Sequence, residues 1–94
     1  MQIESRDVAS SLPQKGFKRE DSHHVYFHHY YQGKCTGVYT YISHGNHSIG
    51  DSLIQQMKKQ LRLKNSLQVV GLVNCPISEA EYNQILKDGG HLQG

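Results

Sequence analysis

The stretch SHHVYFHHYY, residues 22–31, decides the fold because apolar and polar side chains alternate through its middle. This period of two, combined with aromatic and β-branched residues, is typical of a half-buried β-strand. One face would carry Val25, Phe27 and His29, and the two apolar residues mark it as the core side. The other face would carry His24, Tyr26, His28 and Tyr30. The segment therefore predicts a sheet with one packed face and one open face.

Strands are also predicted on both sides of this segment. Residues 17–20 read as a short strand that precedes it after a turn. Residues 32–34 form a turn signal, and residues 35–43 read as the returning strand of a hairpin. In that strand the core face would carry Val38, Thr40 and Ile42, and the open face Tyr39, Tyr41 and Ser43. A sheet of three antiparallel strands is therefore expected.

Helical patterns precede and follow these strands. Residues 5–12 form a helix candidate with Ser5 as its expected N-cap, and Pro13 marks its end because proline lacks a backbone donor. A second helix follows the capping-type signal at residues 48–51 and runs to about residue 63. The strands are thus expected between two helices.

The C-terminal third contains a sharper helix signal. Ser78 and Glu81 have the spacing of a capping box, so a helix should begin there and end near Gly89. Residues 67–73 resemble a strand, with an irregular apolar segment as the alternative.

The order of these elements, α-β-β-β-α with a third helix after it, contains no β-α-β alternation. It predicts an α+β fold in which a three-stranded antiparallel sheet carries its helices on one face. We expect residues 1–94 to form a single domain, with its core at about residues 5–63 and an extension at about residues 64–90.

Composition narrows the classes of partner. The chain has ten Lys and Arg residues and eight Asp and Glu residues, so its net charge is +2 when the seven histidines are neutral. Protonation of the histidines would make the chain strongly basic, so its attraction for an anionic partner depends on pH. No apolar run approaches membrane-spanning length, and the two cysteines fit neither a CxxC motif nor a disulfide framework. We therefore expect a cytoplasmic protein with reduced thiols and no membrane partner.

The four histidines of residues 22–31 do not have the spacing of a metal site. His24 and His28 share a strand face but lie about 13 Å apart along it, too far to bind one ion. A zinc site would need partners across the sheet, such as Cys35 for His28, or a pairing of His44 with His47. With no CxxC or HExxH motif, the sequence predicts no metal and no cofactor, and a small zinc protein stays as an alternative.

The open face instead carries residue types that suit RNA. His24, exposed at the start of its strand, could move a proton to or from an RNA hydroxyl. Outward tyrosines could stack on unpaired bases: Tyr26, Tyr30, Tyr39 and Tyr41. Phosphates could contact the basic residues Lys15, Lys18, Arg19, Lys34, Lys58, Lys59 and Arg62. The competing interpretation is a solvated polar face with no ligand.

An ordered series of short motifs resembles a known family. The series is KGF at 15–17, VYF and its following His and Tyr residues at 25–31, TYISHG at 40–45, IGDSL at 49–53 and KKQLRL at 58–63. It is similar to the HicA-type toxins of bacterial and archaeal toxin–antitoxin systems, and CPISEAEY at 75–82 resembles a longer HicA-like subgroup. The resemblance spans about residues 6–87.

This resemblance implies a fold, an activity and a partner. The fold would be the α-β-β-β-α arrangement of double-stranded-RNA-binding domains. The activity would be metal-independent cleavage of mRNA by an endoribonuclease with one essential histidine. The partner would be a HicB-type antitoxin that covers the active face and, in the complex, represses its own operon. A non-catalytic RNA-binding or protein-interaction module of the same fold is the alternative.

The essential histidine can be placed at either of two neighbouring positions. If Ser22 is aligned with the serine of the family, His23 is selected, whereas alignment of VYF with the subgroup pattern selects His24. Strand alternation favours His24, because it shares the outward face with Tyr26. We therefore expect His24 to be catalytic, keep His23 as the alternative, and expect His44 in the TYISHG segment to assist across the sheet.

Overall fold

The computed structural model describes residues 3–43, 45, 48–74 and 77–92. It contains two sheets and four α-helices among these residues. In chain order the elements are β1 (Ile3–Glu4), α1 (Ser5–Ser11), a 3-10 turn (Leu12–Lys15), β2 (Phe17–Asp21), β3 (Val25–Tyr31), β4 (Lys34–Ile42), β5 (Ser48–Ile49), α2 (Asp51–Gln60), α3 (Ser66–Asn74) and α4 (Glu79–Asp88).

The main sheet has the strand order β2-β3-β4, and both pairs of neighbours are antiparallel. The predicted hairpin is confirmed, because Tyr31 pairs with Lys34 across a two-residue turn. Gln32 and Gly33 have φ angles of 52° and 80°, as a type I′ turn requires at both central positions. This turn matches the twist of the two strands and sets their register.

The predicted division of β3 into two faces is confirmed. Val25, Phe27 and His29 are buried, whereas the residues between them are half-buried. The same alternation on β4 buries Val38 and Thr40. A bulge between the two strands, near Gly37 with its φ of 85°, shifts the register toward the hairpin turn. One face of the sheet is therefore packed, and the other remains accessible.

The helices supply the opposite wall of the core. Apolar side chains of α1, α2, α3 and α4 are buried with those of the sheet; among them are Val8, Ile54, Met57, Val69, Leu72, Val73, Tyr82 and Leu86. The predicted α+β class with a three-stranded antiparallel sheet is thus confirmed. No helix within the described residues is both long and apolar enough to cross a membrane.

The prediction of a strand at residues 67–73 is wrong, because this segment lies in helix α3. Its buried residues are Val69, Leu72 and Val73, which follow the i, i+3, i+4 spacing of one helical face. Leu67, in contrast, is 69% exposed. The apolar run was ambiguous because a short buried helix and a buried strand look alike in sequence.

Only one of the three predicted helix caps is present as predicted. The Ser78 hydroxyl accepts from the backbone N–H of Glu81 at 3.2 Å, and the Glu81 carboxylate accepts from the N–H of Ser78, so the capping box is confirmed. Neither Ser5 nor Ser48 caps a helix, because α1 and α2 have Glu4 and Gly50 as N-caps without a side-chain bond.

The pairing of β1 with β5 explains these two wrong predictions. Glu4 pairs with Ser48 and Ile3 pairs with Ile49, so the residues before both helices are held in extended conformation. Both isoleucines are fully buried by this pairing. Burial of the two apolar side chains therefore determines the backbone at both helix starts, and the serine hydroxyls do not.

Candidate nucleic-acid interface

Five aromatic side chains form a continuous layer on the accessible side of the main sheet. We call this layer the open face; its members are His24, Tyr26, His28, Tyr39 and Tyr41. The ring of His24 stacks on Tyr41 with centroids 5.1 Å apart, and Tyr26 stacks on His28 at 5.9 Å. Tyr26 also contacts Tyr41 at 5.5 Å, and His28 contacts Tyr39 at 5.8 Å. Aromatic side chains grouped on a sheet surface in this way can stack on nucleic-acid bases.

Strand register creates this layer. Tyr26 lies directly opposite Tyr41, and His28 lies directly opposite Tyr39. Side chains that face each other across antiparallel strands have Cβ atoms about 4.5–5.5 Å apart, so their rings are brought into contact. A shift of either strand by one residue would move the rings of that strand to the packed face. The predicted grouping of His24 with Tyr26, Tyr39 and Tyr41 is therefore observed, whereas Tyr30 lies beyond the bulge and contacts Lys18.

His24 occupies one end of the open face, just before β3. The turn that precedes it is closed by the N–H of Ser22, which donates to the carbonyl of His24 at 2.9 Å. The imidazole is half-buried, and its Nδ1 atom is buried with no hydrogen-bond partner among the described residues. His23 is exposed in the same turn. His24, but not His23, is thus held against the aromatic layer.

Charged groups from β2 lie along one margin of the open face. Lys18 Nζ is 4.5 Å from the centre of the Tyr30 ring, and Glu20 is 3.6 Å from Nε2 of His28. Both β2 side chains are exposed. This margin therefore combines one cation with one carboxylate, and its net charge is balanced.

Helix α2 forms the opposite margin, beside β4. Gln56 donates to the hydroxyl of Tyr41 at 3.0 Å, and Gln60 accepts from the buried hydroxyl of Thr40 at 2.7 Å. Lys59 and Arg62 line a groove next to Tyr39. Sequence reasoning missed both glutamines, although their i, i+4 spacing placed them on one side of the helix.

The other predicted RNA-binding residues are scattered. Arg19 lies opposite the buried Phe27 of β3. Its guanidinium donates a hydrogen bond to the Asp21 carboxylate at 2.8 Å. This hydrogen bond and the negative charge of Asp21 raise the pKa of Arg19. Lys34 lies at the hairpin turn, at the far end of the sheet from His24. Lys58 is half-buried one turn after Gln55. These three residues are not grouped with the open face.

The expectation that Lys15 is a surface cation is wrong. Its side chain is only 6% exposed, and Nζ donates to the carbonyl of Leu72 at 2.9 Å and to that of Ile77. These carbonyls belong to the C-terminal end of α3 and the chain just after it, where helical partners are lacking. The positive charge of Lys15 also interacts favourably with the negative, C-terminal end of the α3 helix dipole. Lys15 therefore has a structural role.

His29 is a core residue. Its Nδ1 and Nε2 atoms lie 3.0 Å from Thr36 Oγ1 and Asn83 Oδ1, respectively. The ring packs edge-on against Phe17 and Tyr82. A neutral imidazole satisfies both partners, because one nitrogen donates and the other accepts. Burial, the largest influence, lowers the pKa of His29 and keeps the ring neutral.

Metal-ligating side chains do not cluster within the described part of the chain. There, no group of three or more His, Cys, Asp or Glu side chains could hold a metal ion. His44, expected to assist catalysis, and His47 and Cys75 lie outside the described residues.

Comparison with known proteins adds no further evidence: no protein-family model, no curated protein and no solved structure matches the chain. Evidence on function therefore comes from two sources. One is the chemistry of the open face, and the other is the series of short motifs in the sequence.

Proposed function

We propose that this protein binds single-stranded RNA on its open face and cleaves it as a HicA-like toxin, with His24 as the acid–base group. The observation that carries the proposal is the continuous aromatic layer with His24 at one end. The element order α1-β2-β3-β4-α2 agrees with the α-β-β-β-α order of double-stranded-RNA-binding domains. The motif series from residue 15 to residue 82 supports the same assignment.

The aromatic layer favours unpaired nucleotides over a duplex. Bases within a duplex already stack on each other, whereas the bases of a single strand can stack on tyrosine or histidine rings. Each such contact contributes about 1–3 kcal/mol to binding with little dependence on sequence. Tyr39 is 43% exposed, so at least one ring of the layer is directly accessible to a base.

The proposed reaction is an internal transfer at one phosphate. The 2′-oxygen of a ribose forms a bond to the neighbouring phosphorus, and the bond from phosphorus to the 5′-oxygen of the next nucleotide breaks. His24 takes the proton from the 2′-hydroxyl as a general base while water gives one to the leaving 5′-oxygen, or His24 gives that proton as a general acid while water accepts the proton of the 2′-hydroxyl. Both roles are ones that histidine side chains commonly perform.

The proposed partners follow from the same resemblance. The substrate would be mRNA, which places the activity in the cytoplasm. A HicB-type antitoxin would silence the toxin by covering the open face. The exposed aromatic area gives such a partner an apolar surface to bury.

The test separates binding from cleavage. The purified protein is mixed with an end-labelled single-stranded RNA in EDTA; binding is read by fluorescence anisotropy and cleavage on a gel. We expect the parent to cleave, and His24→Ala to bind but cleave at least 100-fold more slowly, in line with the loss of a general acid–base group. His91→Ala, which removes an exposed histidine elsewhere, is the matched control. Cleavage by His24→Ala at the parental rate would refute the assignment, and loss of cleavage in His23→Ala alone would move it to His23.

A binder without catalysis is the second candidate. His24 stacks on Tyr41 with an interplanar angle of 30°, as a ring that serves only to extend the aromatic layer would also do. The same experiment decides between the two functions, because RNA that is retained but not cut by the parent protein supports the binder.

A further inference from the structure

A basic groove lies at the edge of the open face. It has a volume of about 250 Å³ and is lined by Gly37, Tyr39, Lys59, Gln60 and Arg62. Two of these residues carry a positive charge, and none carries a negative charge. Tyr39 belongs to both the basic groove and the open face, so the two surfaces are continuous.

The end of α2, which supplies both cations, departs from the usual local sequence preference. The N–H of Leu63 donates to the carbonyl of Lys58 at 2.9 Å, and the N–H of Arg62 donates to that of Lys59 at 3.3 Å. These two bonds define a Schellman motif, whose left-handed position is usually glycine. Arg62 occupies that position with a φ of 61°. Arginine therefore occupies a position where the backbone conformation alone would favour glycine.

The surroundings of Arg62 keep this strained residue in place. Leu61 and Leu63, on either side of it, are 0% and 7% exposed and anchor the chain in the core. Gln60 is held to β4 by its bond with Thr40. Arg62 itself is exposed and lines the groove. Strained backbone positions that the surrounding structure holds in place cluster at functional sites.

We propose that Lys59 and Arg62 bind one backbone phosphate of a single-stranded RNA whose adjacent base stacks on Tyr39. This assignment rests on the proposed function and adds an anchoring subsite to it. The guanidinium suits a phosphate because its planar donors can bind two oxygens at once. Gly37 contributes open space, since a Cβ atom there would have no described neighbour within 4 Å.

The position of this subsite gives the RNA a path toward His24. Tyr39 and Tyr41 are two residues apart on β4, so their side chains repeat at about 6.6 Å along the strand. Tyr26 contacts both rings, and His24 stacks on Tyr41. A single-stranded RNA anchored in the basic groove can therefore stack its next bases on these rings and reach His24.

The first experiment measures how RNA affinity depends on salt. The dissociation constant of a single-stranded oligouridine is measured from 50 to 200 mM salt for the parent, Lys59→Gln, Arg62→Gln and the double variant. Lys64→Gln, which removes an exposed lysine from outside the groove, is the matched control. We expect the double variant to bind more weakly than the control and its log–log salt slope to fall by about 0.7, as loss of one phosphate contact predicts. A double variant that matches Lys64→Gln would overturn the proposal.

A second variant tests why arginine occupies the left-handed position. Arg62→Gly should melt at the same temperature as the parent or higher, because glycine adopts positive φ without strain, yet it should bind the oligouridine more weakly. A drop in melting temperature with unchanged affinity would show that Arg62 serves stability, and would overturn the proposal.

A mononucleotide distinguishes failure of the subsite from failure of the proposed function. If the parent neither binds nor cleaves RNA, the proposed function is wrong. Uridine 5′-monophosphate is then titrated while the amide signals of Tyr39 and Arg62 are followed by NMR. Shifts in the parent that vanish in the double variant support a phosphate subsite, and their absence in the parent refutes it.

Discussion

Single residues of the same type have different roles in this molecule. His29 is buried between the sheet and α4, His28 faces Glu20 at the margin of the open face, and His24 ends the aromatic layer. Strand alternation predicted that His29 faces the core, but it gave His23 the same parity, and His23 is exposed. It could not predict the contact between His29 and Asn83, because these residues are 54 positions apart.

The buried histidine should make stability depend on pH. Burial lowers the pKa of His29 below its ordinary value of 6.5, so in acid the unfolded chain takes up a proton that the folded chain does not. Its contribution to the free energy of unfolding is therefore complete above pH 6.5 and is lost as the pH falls through the folded-state pKa. Urea denaturation between pH 8 and pH 5 measures this loss.

The contribution of His29 can be separated from that of the other histidines. Glutamine can hydrogen-bond to Thr36 and Asn83 but does not titrate, so His29→Gln should show a smaller loss of stability in acid than the parent. His23→Gln, at an exposed position, should retain the parental pH dependence. Identical pH profiles for His29→Gln and the parent would contradict this explanation.

Lys15 should be important for stability and not for RNA binding. Replacement by methionine keeps most of the buried chain length but leaves the carbonyls of Leu72 and Ile77 without this donor. Unpaired buried polar groups cost about 1–3 kcal/mol each, so Lys15→Met should lower the free energy of unfolding by at least that amount. Chemical denaturation checks the effect, with Lys64→Met as the exposed control. Equal stability of the two variants would show that the buried ammonium contributes nothing.

At the scale of elements, two local signals predicted where an element ends or begins. Pro13 marked the change from α1 to a 3-10 turn, and the Ser78 capping box marked the start of α4. Both signals depend on atoms within a few residues of each other. The identity of α3 was not predicted, because which side of a short apolar run is buried depends on packing against α1 and α2.

The link between the 3-10 turn and β2 should depend on glycine at position 16. Gly16 has a φ of 91°, and a Cβ atom there would lie 3.3 Å from the carbonyl oxygen of Tyr30 and 2.7 Å from Glu79 Oε2. Alanine in the left-handed region costs about 1–2 kcal/mol from the backbone alone. Gly33→Ala is the matched control, since Gly33 has a φ of 80° and no neighbour within 4 Å of that position among the described residues. Thermal denaturation should show a greater loss for Gly16→Ala, and an equal loss would mean that the crowding is relieved without cost.

At the scale of the whole molecule, the segment expected to be an extension, about residues 64–90, contributes to the common core. Helices α3 and α4 bury five side chains in the common core: Val69, Leu72, Val73, Tyr82 and Leu86. The Tyr82 hydroxyl also donates to the carbonyl of Leu61 at 2.8 Å, and burial raises the pKa of this phenol. The C-terminal helices are therefore part of the structure that supports the open face.

A truncated chain of residues 1–63 should consequently fail to fold. Each large apolar side chain that loses its burial removes about 1.5–3 kcal/mol, and a small domain has only about 5–15 kcal/mol in total. Near-ultraviolet circular dichroism and NMR dispersion should show no fixed tertiary structure in the fragment, while the full chain unfolds cooperatively. A dispersed spectrum and a sharp transition for residues 1–63 would contradict this prediction.

The sequence by itself determined the hairpin, the two faces of β3, the capping box of α4 and the grouping of aromatic residues on one side of the sheet. Each depends on spacing along the chain: a period of two, a turn signal at residues 32–34, or a three-residue interval. Only the tertiary structure decided that Lys15 is buried, that residues 66–74 are helical, and that Lys59 and Arg62 lie beside Tyr39. These features depend on contacts between distant segments, where burial and hydrogen bonding outweigh local preference.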